Sequence, residues 1–262
     1  SGERCVVAAH PQIEVEVATC GPDAVLRVWD LDRGARISFP LADAAPELAA
    51  PPAPALAAGL GPQDSSASLA SFSSPALEAS AMAYSCASPS GDVHLAVGCR
   101  GCILVLDTKT SGDAPLLVAL LDRAATGLAP KEAVTALAYS SPWGDVSKGR
   151  STSVCNLAAG TAHGNIVLFA AQLDAGGEPY RRVAKVKAHP GAVVALDFSE
   201  APEGSEPEWL RTNSADFELR FWGLQGGGGS SSGKTVKEKR PASELRDVLW
   251  RSNTCALSWP TT

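Results

Sequence analysis

The sequence is poor in the residues that mark several common classes of protein. Of its 262 residues, aromatic side chains make up 6% and charged side chains 19%, with a single methionine. Runs of about 18 apolar residues are absent, and the start lacks the apolar core of a signal peptide, so we expect no contact with a membrane. The net charge of −6 argues against a dedicated nucleic-acid binder, because such domains are usually basic.

Histidine is also scarce, and the seven cysteines form no complete metal-binding pattern. Most cysteines lie in apolar, strand-like contexts such as EVEVATCG, where a free thiol behaves as a small hydrophobic group. Cys99 and Cys102 form a C-x-x-C, which is half of a zinc site, but no second pair follows at a useful spacing. We therefore expect reduced thiols in a cytosolic protein, without a metal or another cofactor.

Four segments of the chain share one pattern. Each has a strand of small residues, a tight turn, and a strand that alternates apolar and polar residues. From the turn to an apolar residue near the end of the second strand, the step is always six residues. The four pairs are Asp23 and Trp29, Arg100 and Leu106, His163 and Phe169, and Asp216 and Trp222. The pattern predicts a β-hairpin that is repeated four times.

Short strands are predicted between these hairpins, in ASAMAYSC, AVTALAYSS and GAVVALDFS. Because no segment has a sustained apolar stripe at helical spacing, the pattern favours an all-β chain. The four turns are 53 to 77 residues apart, which is longer than the repeat of about 40–45 residues in simple units of this kind. The excess fits an Ala/Pro/Ser-rich insertion loop over residues 41–79 and a Gly/Ser-rich, basic loop over residues 226–242.

The repeats resemble the blades of a WD40 β-propeller, because Trp29 and Asp30 form the dipeptide that names this family. In the family, a His before the first strand, a Ser or Thr, the turn Asp and the Trp form a hydrogen-bonded structural network. The resemblance implies that the matching residues are structural and not a catalytic triad. They are His189, Ser214, Asp216 and Trp222 in the last full repeat, with Asp23 and Trp29 in the first.

The stretch GGGGSSSGKT fits the phosphate-binding pattern G-x-x-x-x-G-K-[ST] through Gly228, Gly233, Lys234 and Thr235. Such a loop needs a helix after it, whose N-terminus faces the phosphates. Here Pro241 interrupts any helix within two turns, and no apolar stripe would dock one on a sheet. We therefore predict that the loop binds no nucleotide, and that the chain is not an enzyme.

Residues 154–260 resemble the second propeller of the echinoderm microtubule-associated protein-like family more specifically. The resemblance rests on an Asn-Ser, acidic-residue and aromatic-Trp pattern, followed by Arg-Asp, Trp, Thr-Cys-x-Leu and Trp-Pro. The matching positions are Asn213, Ser214, Asp216, Trp222, Arg246, Asp247, Trp250, Thr254, Cys255, Leu257, Trp259 and Pro260.

The domain organisation expected from the resemblance is that of a fragment of a larger propeller, with about four to five blades present. A partial blade over residues 1–40 is followed by the insertion loop. Complete blades occupy residues 80–225, and residues 243–262 begin the next blade after the basic loop. An open set of blades would expose an apolar flank, so we expect missing blades or a partner to cover the ends.

The resemblance implies a non-catalytic microtubule-associated protein of the cytoplasm and cytoskeleton, located in some members at the axoneme of a cilium. Its partner would be tubulin, which is acidic, so basic patches are the candidate contacts. The patches are Arg181, Arg182, Lys185 and Lys187 on one strand, and Lys234, Lys237, Lys239 and Arg240 on the basic loop. The alternatives are a solvated strand face and a solubilising loop, and a WD40 scaffold in ciliary transport or ubiquitin ligation.

Overall fold

The described residues form four antiparallel sheets of four strands each, as seen in a computed structural model. The structure describes residues 5–49, 77–88, 91–109, 114–129, 131–143, 154–173, 179–202, 204–225, 235–239 and 242–256. In every sheet the strands pair in the order in which the chain makes them. This order is an antiparallel meander, in which only short connections are needed between neighbouring strands.

The strands of the first two sheets lie on either side of the Ala/Pro/Ser-rich segment. Those of the first sheet are β1 (Val6–Ala9), β2 (Glu16–Cys20), β3 (Val25–Asp30) and β4 (Gly34–Pro40). Those of the second sheet are β5 (Ala81–Tyr84), β6 (His94–Gly98), β7 (Ile103–Asp107) and β8 (Leu116–Leu121).

The strands of the last two sheets follow in the same manner. Those of the third sheet are β9 (Val134–Tyr139), β10 (Val154–Thr161), β11 (Asn165–Gln172) and β12 (Tyr180–Lys187). Those of the fourth sheet are β13 (Val193–Phe198), β14 (Trp209–Ser214), β15 (Leu219–Gln225) and β16 (Thr235–Glu238).

The sheets are arranged as successive blades around one axis, because their first strands β1, β5, β9 and β13 contact one another in order. The four predicted hairpins are the second and third strands of the four blades, and the short strands predicted between them are β5, β9 and β13. The expected all-β propeller with four to five blades is therefore confirmed.

Three apolar cores join the four blades, one at each junction. The apolar residue at the end of each repeated hairpin faces the preceding blade, and Leu106, Phe169 and Trp222 are all buried there. Full burial of such a side chain stabilises a protein by about 1.5–3 kcal/mol. The equivalent Trp29 in the first blade is only half-buried, since no blade precedes it in the part of the chain that is described.

The structure differs from the expected domain boundaries at both ends of the chain. A partial blade was expected over residues 1–40, but residues 6–40 contain all four strands of one. The basic loop was expected to include residues 235–238, but these residues form β16. This strand pairs with β15, and Val236 lies opposite Leu224 in the register. Alternation over only four residues was too short a signal to separate this strand from a loop.

Helical structure is confined to short pieces in the described ranges. Helices α1 (Leu41–Ala44) and α2 (Pro46–Ala49) begin the predicted insertion loop, whose residues 50–76 lie outside the described part of the chain. Helix α3 (Arg123–Thr126) begins at Asp122, whose side chain accepts a hydrogen bond from the amide of Ala125. None of the described helices is long and apolar enough to cross a membrane.

Candidate interaction surfaces and the framework that holds them

A chain of hydrogen bonds crosses the fourth blade and joins four side chains. The indole Nε1–H of Trp222 donates to Oγ1 of Thr212 over 3.0 Å, and that oxygen lies 2.7 Å from Nε2 of His189. Nδ1 of His189 lies 3.1 Å from the carboxylate of Asp216. Every partner is satisfied when the Thr212 hydroxyl donates to Nε2 and the imidazole donates from Nδ1. Burial lowers the pKa of His189, although Asp216 acts to raise it.

The hydroxyl in this chain belongs to Thr212 and not to Ser214, the residue that the sequence placed there. Ser214 Oγ instead accepts a hydrogen bond from the amide of Asp216 over 3.3 Å, within the turn. The reason lies in strand register, because Thr212 and Ser214 are two residues apart and project from the same face of β14. His189, Asp216 and Trp222 do lie together, as the sequence led us to expect.

The first and third blades contain altered forms of this network. In the first blade, Trp29 Nε1–H donates to Oγ1 of Thr19 over 2.7 Å, while Asp23 pairs with Arg27. In the third blade, buried Glu132 replaces the histidine and accepts hydrogen bonds from Thr161, Asn165 and the amide of Ala129. Burial alone would raise the pKa of Glu132, but these hydrogen bonds outweigh it, so the pKa is lowered. Sequence analysis did not identify Glu132, since the WD40 pattern has a histidine before the first strand.

Three potential metal ligands lie close together in the fourth blade, in His189, Asp216 and Glu218. Their ligand atoms already have partners, since both imidazole nitrogens take part in the Trp222 chain and Glu218 pairs with Arg220. The sulfurs of Cys99 and Cys102 are buried, and Cys99 Sγ contacts the carbonyl of Leu77. These side chains therefore act within the framework of the blades.

A buried ion pair that sequence analysis missed lies on the outer face of the fourth blade. Arg211 and Asp197 are opposite each other on β14 and β13, with Nη2 and Oδ2 2.8 Å apart. The side chain of Asp197 has no exposed surface and that of Arg211 only 5%. The sequence contained one signal of this pair, the Asp in the apolar strand VVALDF. A charged residue in a buried strand indicates a partner of opposite charge, because buried charges in proteins are paired.

This ion pair holds the last described segment of the chain, residues 242–256, against the blade. Asp197 accepts hydrogen bonds from the amides of Thr254 and Cys255 and from the hydroxyl of Ser252. Arg211 lies 4.6 Å from the centre of the Trp250 ring. The predicted next blade begins here as a 3-10 turn, Ala242–Leu245, and a single bridge between Trp250 and Ser199 on the edge of β13.

The basic residues predicted on one strand are exposed on β12, the outer strand of the third blade. Lys185 Nζ donates to the carbonyl of Gly127 over 2.5 Å, and the guanidinium of Arg182 also lies against Gly127. Lys187 Nζ donates to the carbonyl of His163. These three cations form what we call the β12 patch. Arg181 is opposite Ala170, which packs on the core shared with the fourth blade, so its side chain projects from the other face.

The second predicted patch is only partly within the described residues. Lys237 is exposed on β16, and Lys239 pairs with Glu244. Lys234 and Arg240 lie outside the described ranges, as do Gly228 and Gly233 of the phosphate-loop match. Lys237 and Lys239 thus lie at the edge of the fourth blade, where Glu244 neutralises Lys239.

A comparison with solved structures identifies the architecture. The chain is similar to the crystal structure of Chaetomium thermophilum Sqt1 bound to the N-terminus of the ribosomal protein L10, with a TM-score of 0.52 and 18% identity. The present chain has the WD40 propeller fold. The match covers 88% of this chain and 48% of the Sqt1 chain, so four blades correspond to about half of that structure. No family model and no curated protein matches the sequence.

Proposed function

We propose that this WD40 chain is a non-catalytic protein-interaction scaffold, and that tubulin is its partner at the β12 patch. Its location would then be the cytoplasm and cytoskeleton, and the axoneme in a ciliated cell. The observation that carries the proposal is the β12 patch itself. Its cations Arg182, Lys185 and Lys187 are exposed, and they form no ion pair with a carboxylate of any described residue.

The geometry of the patch suits an acidic polypeptide. The lysine ammonium groups donate to the neutral carbonyls of Gly127 and His163, which position the cations without neutralising them. An acidic partner that meets uncompensated cations gains in association rate and in specificity. The resemblance to the echinoderm microtubule-associated protein-like family supports tubulin as that partner, and the Sqt1 structure is an example of a related propeller bound to a protein.

We propose a non-catalytic role because the polar residues of the fourth blade form hydrogen bonds with one another. The histidine, carboxylate and hydroxyl groups of the fourth blade bond to one another across its hairpin and hold Trp222 in place. A nucleophile must be accessible to its substrate, whereas Thr212 has no exposed surface and its hydroxyl oxygen accepts the indole N–H of Trp222. These residues are therefore better explained as a framework.

Co-sedimentation with polymerised tubulin tests the proposal directly. We expect pelleting at low salt that falls steeply between about 50 and 300 mM salt, because exposed charges are screened over about 10 Å at 0.1 M. The triple variant Arg182→Glu, Lys185→Glu, Lys187→Glu should bind about tenfold more weakly or worse. Circular dichroism would verify that the variant remains folded.

A matched control carries the same change of charge elsewhere. Arg33, Lys109 and Arg246 are exposed, and their replacement by Glu should leave the pelleted fraction unchanged. Equal losses in both triple variants would show that net charge and not the patch governs binding. If the unmodified chain does not pellet at low salt, tubulin is not its partner, and a WD40 scaffold in another assembly, such as ciliary transport or ubiquitin ligation, becomes the better proposal.

A further inference from the structure

A groove opens at the end of the fourth blade, beside the connection between β13 and β14. It has a volume of about 510 Å³. One wall is formed by residues 199–202, 205, 206, 208 and 209. The other is formed by Val248 and Leu249, which come from the segment held by the Asp197–Arg211 pair. A backbone hydrogen bond of 2.8 Å from the amide of Glu200 to the carbonyl of Leu249 joins the two walls.

The groove is acidic. Glu200, Glu206 and Glu208 all line it, and no lysine or arginine among the described residues does. The carboxylates of Glu200 and Glu208 are exposed and form no ion pair with any described cation. Glu206 accepts a hydrogen bond from the side-chain amide of Asn156. Like charges that line one concave surface reinforce one another and attract a cationic ligand.

The groove also has an apolar side. The side chain of Leu249 is 70% exposed, and the half-buried Trp209, whose ring centre lies 5.9 Å from Lys239 Nζ, is on the opposite wall. A single exposed leucine is ordinary in a soluble protein. Here, however, leucine and indole lie on either side of a concave site, where an apolar side chain of a ligand would cover both. Aromatic anchors of this kind dominate the energetics of many interfaces.

We propose that this groove binds a polypeptide segment in which lysine or arginine residues flank an apolar side chain. The apolar side chain would insert between Trp209 and Leu249, and the cations would pair with Glu200 and Glu208. Its ligand has the opposite charge to an acidic partner of the β12 patch, so this proposal does not depend on the proposed function. A chain with both surfaces could hold a basic and an acidic partner at the same time.

Fluorescence anisotropy with short labelled peptides tests the proposal on the 262-residue chain. The probe is a ten-residue peptide of Lys and Leu, and the control is the same peptide with Glu in place of each Lys. We expect only the Lys-Leu peptide to bind, with an affinity that falls at high salt. The double variant Glu200→Lys, Glu208→Lys should bind it at least tenfold more weakly, and Leu249→Ser about fivefold.

The matched control for charge is the pair Glu14→Lys, Asp32→Lys, two exposed carboxylates on the first blade. It changes the net charge by the same amount, and it should leave the affinity within about twofold. The site can be mapped by photo-crosslinking from the leucine of the probe, which should label residues 199–209 or 248–249. Thermal melts of all variants should match that of the unmodified chain, because every substituted side chain is exposed.

Four outcomes would overturn the proposal. The first is equal binding of the Lys and Glu peptides, and the second is an equal loss in the two charge-reversal pairs. The third is crosslinking to other residues while the groove variants bind normally. If a longer form of the protein contains the groove but binds no peptide there, another part of the same propeller is its occupant, and the proposal is also wrong.

Discussion

The most informative perturbation of this structure is Asp197→Asn, which removes one charge from the buried pair and replaces one accepting oxygen with an NH2 donor. Arg211 would keep its positive charge at a site where 5% of its side chain is exposed. Loss of one partner from a buried pair costs about 3–5 kcal/mol, because the other charge remains desolvated and unpaired. Since whole domains are stable by only about 5–15 kcal/mol, this would be a large fraction of the total.

The structure supplies its own control in the Asp23–Arg27 pair of the first blade. The distance between its charged atoms is 2.7 Å, nearly the same as the 2.8 Å between Asp197 and Arg211, but its side chains are 34–44% exposed. Exposed pairs contribute at most about 1 kcal/mol. Urea denaturation followed by circular dichroism should therefore give a much lower midpoint for Asp197→Asn than for Asp23→Asn. Equal midpoints for the two variants would refute the argument from burial.

The pH dependence of stability tests the same pair in a second way. Burial acts to raise the pKa of Asp197, but hydrogen bonds from Ser252, Thr254, Cys255 and Arg211 outweigh it and hold the pKa below its ordinary value. A carboxylate of this kind contributes stability above its unfolded pKa of about 3.9, and the contribution is lost as the pH falls through the lower, folded value. The difference in urea midpoint between the unmodified chain and Asp197→Asn should shrink below about pH 4. A constant difference from pH 7 to pH 3 would contradict this assignment.

Three further predictions concern the framework and the glycine-rich loop. Thr212→Val should lower the free energy of unfolding by about 1–3 kcal/mol, since it leaves two buried polar partners unsatisfied, and Ser214→Ala should lower it less. If thermal melts rank the two variants in the reverse order, Ser214 and not Thr212 supplies the hydroxyl of the network. Trp222→Ala should cost about 3–5 kcal/mol, and an unchanged melting temperature would show that this indole is not part of the framework. Isothermal titration should detect no ATP or GTP binding to the chain, and an affinity that disappears in Lys234→Ala would prove the phosphate-loop match to be real.

The repeated hairpins could be predicted from sequence because each one is local. Their two strands are joined by a tight turn, so a six-residue step from Asp216 to Trp222 already determines which side chains share a face. The same step identified all four blades, although Arg100 and Leu106 depart from the WD40 pattern. Prediction from sequence succeeded where pairing partners lie within one turn of each other.

The remainder depended on distances that a sequence does not contain. The choice between Thr212 and Ser214 is a matter of register, since both hydroxyls project from one face of β14 and only one lies beneath the indole of Trp222. The pairing of Asp197 with Arg211 depends on the register of β13 and β14, and the length of their connection, which sets this register, cannot be inferred from the sequence pattern. The amides of Thr254 and Cys255, which donate to Asp197, are 57 and 58 positions away from it in the sequence, so no local pattern predicts these hydrogen bonds.

The buried pair also connects stability to binding, because the wall of the acidic groove that carries Leu249 is part of the segment that Asp197 holds. If this segment detaches in Asp197→Asn, the Lys-Leu peptide should lose affinity at temperatures where the blades remain folded. The β12 patch lies on a different blade and makes none of these hydrogen bonds, so binding of an acidic partner should be unaffected. Loss of both activities together would indicate general unfolding. Loss of peptide binding alone, with circular dichroism unchanged, would show that one ion pair positions the wall of the acidic groove.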